Sequence, residues 1–179
     1  MKIHYSPLFL LFFIGFLGFS QEKSTGPVIE DYGPVFKIEN PDFKTDTSQE
    51  FKVVFDVMDS PDSHTEINKK LETAARFLNL HAQSGIPVEQ LKAALIVHNV
   101  ASKDITTDEA YQKRFGMPNP NSGLIQALLD AGVEVIYCGQ SSMARNFPKE
   151  DLIPGVKIAL SAMTANIQLQ NQGYRPIKL

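Results

Sequence analysis

Cysteine is nearly absent from this chain: one in 179 residues, Cys138. That excludes an internal disulfide framework, so the fold rests on its hydrophobic core with no crosslink restraining the unfolded chain. It also excludes a structural zinc site, and His64, His81 and His98 show no close ligand spacing. No metal and no cofactor are therefore expected. Excess positive charge is missing too: the formal net charge is −3 and no basic stripe is present. Nucleic acid is not an expected partner. No glycine-rich phosphate loop follows the first expected strand, because Met58-Asp59-Ser60-Pro61-Asp62 contains no glycine. Ser141 and Ser142 lack a nucleophile-elbow setting. Internal repeats and low-complexity tracts are absent.

A membrane-length apolar run is also lacking. Leu8 to Phe19 is apolar, but a span needs about 20 such residues. Lys2 precedes the run, and Gly18 and Ser20 lie at −3 and −1 of a cut before Gln21. Residues 1–20 thus read as a cleaved secretory signal peptide. No cysteine follows the run, which excludes a lipid anchor. A periplasmic or secreted protein is expected, with no stable membrane insertion after cleavage. Cleavage removes Lys2 and no acid, leaving a mildly acidic, soluble mature chain.

What remains is long enough for one domain with a sizeable core. Residues 21–50 are rich in Pro, Gly, Asp and Thr and read as an extended N-terminal arm. Its short apolar pieces, Val28-Ile29 and Val35-Phe36, are candidates to pack on the body or on a second subunit. From Phe51 the pattern turns regular. Phe51–Val57 and Leu91–Val97 are apolar, buried strands. Ser63 and Glu66 form a capping box that predicts a helix with Ile67, Leu71, Ala74, Ala75, Leu78 and Ala82 on one face, stopped by Gly85 and Pro87. Thr106 to Glu109 predicts the start of a short helix through Phe115. Asn121 is expected to cap a helix bearing Leu124, Ile125, Leu128 and Leu129, ended by Gly132. A third strand runs from Val133 to Tyr137, and Pro148 begins one helical turn. Val156–Leu160 predicts a fourth strand. A last helix over 162–172 and an edge strand over 174–179 complete the chain. Alternating strands and helices predict an α/β fold with a mainly parallel sheet and helices on both faces.

Such sheets react at the carboxyl ends of their strands. Asp56, His98 with Asn99, and Cys138 all fall there. If a helix starts after Cys138, its free backbone amides and the positive end of its dipole stabilise a thiolate, the nucleophilic form, and Gly139, Gln140 and Ser141 are expected binding residues. Gly139 would let a substrate approach the backbone closely, and Arg145 would add positive charge by folding back. Three readings of the lone thiol stay open: a reactive group, an inert core residue, or half of an intermolecular disulfide. His98 is either a base for the thiol or a histidine satisfying a strand end. Asp56 needs a partner, since a charge in an apolar strand is costly.

The segment Leu128-Leu129-Asp130-Ala131-Gly132-Val133-Glu134-Val135-Ile136-Tyr137-Cys138-Gly139 resembles the DsrE-like family, which includes sulfur-relay proteins. Val97-His98-Asn99, Asn121 with Leu124-Ile125, and Gln170-Asn171-Gln172-Gly173-Tyr174 extend the resemblance over about residues 51–179. It implies a three-layer α/β/α sandwich of about five strands with flavodoxin-like layering. It further implies a homo-oligomer, and a cysteine at position 138 that accepts sulfur as a persulfide and passes it on. His98 and Asn99 would be neighbours from the adjacent strand end. The expected activity is that of an exported sulfur carrier or sulfurtransferase, with a small sulfur donor or an acceptor protein as partner. The alternative expectation is a non-enzymatic oligomeric module that binds a small ligand, with Cys138 structural.

Overall fold

The structure is a computed structural model that describes residue 1 and residues 22–179. The expected signal peptide lies outside the described residues. Five strands form one parallel sheet: β1 (Phe51–Val57), β2 (Leu91–Val97), β3 (Glu134–Cys138), β4 (Lys157–Ala159) and β5 (Arg175–Ile177). Their order is β4-β3-β2-β1-β5. Five helices accompany them: α1 (Lys69–Gln83), α2 (Asp108–Phe115), α3 (Ser122–Asp130), α4 (Gly139–Arg145) and α5 (Ala162–Asn171). The α/β class expected from the alternation is thus present.

The central strands are apolar throughout because both of their faces are covered. In β2 only Lys92 is exposed. Alternate residues point to opposite faces. On the first face Val53, Phe55, Leu95, Val97, Val135 and Tyr137 pack against Leu71, Ala74, Ala75 and Leu78 of α1 and Leu124, Ile125 and Leu128 of α3. On the second face Val54, Ala94 and Ile96 meet Ala165 and Leu169 of α5 and Tyr174, with the partly buried Ile136, Ala159 and Ala162 around them.

The helix starts show where local signals prevail and where they do not. Thr107 caps α2 as expected, its hydroxyl accepting from the Ala110 amide, and Gly116 closes the helix in the left-handed conformation. The capping box at Ser63 does not start α1. Ser63 serves the Thr65 amide instead, and α1 begins at Lys69 with Asn68 as its cap. Ile67 therefore lies before the helix. The reason is tertiary. Asn68 is fixed by its own amide donating to Asn121 Oδ1 at 2.7 Å and its Nδ2 donating to Asp104 Oδ2 at 2.7 Å. The same bond explains why Asn121, though it precedes α3, makes no side-chain cap there.

The arm packs on the body from Ser24 to Val35. Ile29 and Val35 are buried. Asn79 of α1, fully buried, accepts from the amides of Val28 and Ile29 and donates to the carbonyls of Ile29, Tyr32 and Gly33. Gly33 has φ +69°, and a Cβ there would lie 2.5 Å from the α1 backbone, so no other residue permits this approach.

Candidate functional site

The chain leaves β3 through α4 and returns to the first face, where Phe147 joins the larger core. It leaves β4 through α5, which covers the second face. Between the ends of β3 and β4 the connections therefore diverge, a topological switch point where open α/β sheets place their ligands. Cys138 stands there, as the residue preceding α4 and paired with Ala159 of β4.

Backbone amides surround the thiol. Burial is the largest single influence and pushes its pKa up. Hydrogen bonds from the amides of Ser141, Ala162 and Gln140 and from the Ser141 side chain outweigh it, so the net shift is downward. Amides of both α4 and α5 thus converge on one sulfur. Sequence reasoning found the α4 amides and missed Ala162. The available signal was Ser161, whose hydroxyl accepts from Thr164 N and starts α5. Cys138 keeps 5 % of its surface exposed.

Register places two more of the expected residues beside it. Asp56, His98 and Cys138 follow Val54, Ile96 and Ile136 by two residues, so all three share the second face. His98 is extended, and its amide donates to Val57 O at 3.0 Å, carrying the ladder one residue past β2. Val97 is opposite Tyr137, so His98 comes opposite Cys138. The partner that Asp56 needs is His98: Nε2 lies 3.0 Å from Asp56 Oδ1. A carboxylate only accepts, so Nε2 donates to Asp56 and the ring is oriented by that bond.

The other expected residues take structural contacts. Asn99, at φ +54°, receives Arg145 on its side-chain oxygen, while its amide donates to Ser141 Oγ at 3.0 Å. Arg145 is thus tied to Asn99 on the chain beyond β2. Gln140 donates to Leu160 O. At Gly139 the close approach is made by the protein itself, since an added Cβ would meet Ala159 O at 2.7 Å. That space is filled by β4 rather than left for a substrate.

A family model described as the DsrE/DsrF-like family matches residues 52–179. The chain belongs to the DsrE/DsrF-like family. Among solved structures it is similar to a protein of unknown function from Methanobacterium thermoautotrophicum, at 19% identity and TM-score 0.55. The match covers 72% of this chain and 99% of the other, and it supports the fold. No curated protein matches the chain.

Proposed function

We propose that this DsrE-family protein carries sulfane sulfur on Cys138. The observation that supports the reading most is the convergence of the Ser141, Gln140 and Ala162 amides on a thiol at the switch point, with a lowered pKa. In the proposed cycle the Cys138 thiolate attacks the outer sulfur of a polysulfide or low-molecular-weight persulfide. A bond forms between the two sulfurs, the donor's S–S bond breaks, and the donor leaves as a thiolate. An acceptor thiolate then attacks the outer sulfur and Cys138 leaves as a thiolate, so no external oxidant or reductant is consumed. His98, oriented by Asp56 and opposite Cys138 in the register, is the base assigned to the thiol proton in this cycle. The small exposed surface of Cys138 favours a small sulfur donor over a protein donor in the first step.

The same reading makes the protein an exported carrier, periplasmic or secreted, working as a homo-oligomer. Leu160, Met163 and Ile167 are apolar and well exposed on the α5 side, which suits a subunit contact.

The test is intact mass after incubation with polysulfide, beside Cys138→Ser. The wild type is expected to gain one or more sulfur atoms, lost on reduction, and the variant none. The pH dependence follows from the lowered pKa. Thiolate persists below the usual thiol range of about 8.5, so alkylation by iodoacetamide stays appreciable there and falls only as pH drops through the folded value. Ser141→Ala removes one lowering hydrogen bond and moves the midpoint up. No adduct, together with a thiol that resists labelling, would replace this reading with the ligand-binding module.

A further inference from the structure

Beyond the carboxyl ends of β1 and β2, a cavity of about 310 Å³ opens between the loop after β1, the segment after β2, and the chain around α4. Its apolar walls are Val100, Phe115 and Phe147, and its polar lining includes His64, Lys103 and Arg145. Such a mix of apolar surface and a few convergent polar groups, at this volume, is the usual make-up of a small-molecule site.

The walls are held in place by contacts among the lining residues and the groups behind them. Asp104, fully buried, accepts from Ser60 Oγ, Asn68 Nδ2 and Lys103 Nζ, which pins the loop after β1 to the segment after β2. The Phe115 ring stacks on His64 with centroids 4.3 Å apart. The Arg114 guanidinium covers Phe147 at 4.0 Å. Two further observations concern hydrogen bonds that are missing. Among the described residues, the buried side-chain atoms without a partner are His64 Nδ1 and the Tyr137 hydroxyl. His64 lines the cavity. Tyr137 is fully buried, and the charges of Arg145 and Arg114 act on its hydroxyl. Natural proteins rarely leave such atoms unpaired.

The geometry points to a binding site for a small organic anion, with a carboxylate, sulfonate or phosphate head and an apolar body. The head meets Arg145 at the exposed side of the cavity, with His64 and the Asp104-paired Lys103 lining the wall behind it. The body lies against Val100, Phe115 and Phe147. The lining contains one carboxylate besides, Asp62, at the exposed edge. The site is separate from the thiol, since Cys138 is not among the residues that line it.

Benzenesulfonate, benzyl alcohol and inorganic sulfate test this by titration into the purified protein, followed by calorimetry and amide NMR. Benzenesulfonate is expected to bind saturably and to shift the amides of Val100, Lys103 and Phe147. Benzyl alcohol and sulfate, each lacking half of the match, are expected to bind about tenfold more weakly. Arg145→Gln, at an exposed side chain, should weaken benzenesulfonate by about tenfold and leave benzyl alcohol unchanged. His64→Phe keeps the stack on Phe115, removes Nδ1, and should act in the same direction. Cys138→Ser should bind as wild type. Equal binding of the acid and the alcohol, shifts confined to another part of the surface, or indifference to both lining variants would each overturn the proposal.

Discussion

The two faces of the sheet are built differently. The first is closed by α1 and α3 over a large continuous core, with the arm clamped on the outside of α1 through Asn79. The second is covered by α5 alone over a core of six buried residues, and Met163 and Ile167 of that helix stay exposed. The difference separates two tasks. Stability is concentrated where apolar area is removed from water on a large scale. The thin face carries the strand ends where Asp56, His98 and Cys138 line up. The buried thiol is positioned there by amides from two helices, while the strands beneath it are fixed from the other side.

Paired core truncations probe this contrast most strongly. Leu124→Ala on the first face should cost about 4 kcal/mol, whereas Leu169→Ala on the second should cost about 2 kcal/mol, because the thin face relaxes more readily around a cavity. Urea unfolding of the two variants measures the gap, and equal losses would break the comparison. Removing the clamp comes next. Asn79→Ala leaves the amide of Ile29 and the carbonyls of Tyr32 and Gly33 without their buried partner, which should cost about 2–3 kcal/mol. Limited proteolysis should then cut within residues 22–50 faster than in the wild type; an unchanged cleavage rate would show that Ile29 and Val35 hold the arm by themselves. The smallest effect on stability is expected at Ile167→Lys, within about 0.5 kcal/mol, since the side chain is 60% exposed. Sedimentation should nonetheless show loss of the proposed oligomer, and an unaltered assembly would place the subunit contact elsewhere.

Much of this organisation was legible in the chain. Leu91–Val97 reads as a strand buried on both faces and is one, because a near-continuous apolar run admits few other uses. The α2 boundaries were legible for a local reason: Thr107 and Gly116 act within one turn of the helix ends they fix. The start of α1 was not, since Ser63 carries the right local signal and is overruled by the hydrogen bonds that bring Asn68, Asp104 and Asn121 together from distant parts of the chain. Cys138 was identifiable as the residue ending an apolar strand. Its pairing with the α5 amide of Ala162, the assignment of His98 to Asp56, and the filling of the space beside Gly139 by β4 were invisible, because each depends on which strands are neighbours.

By itself, then, the sequence determined the class of fold, the alternation of its elements and the set of polar residues delivered to the strand ends, because hydrophobic period and caps act over a few residues. The tertiary structure decided the rest. Strand order β4-β3-β2-β1-β5 sends the connections after β3 and β4 to opposite faces, and only that divergence brings amides of two helices to one sulfur. The same register sets Tyr137 and Cys138 on opposite sides of a single strand, so the tyrosine joins the larger core while the thiol faces the amides of α4 and α5.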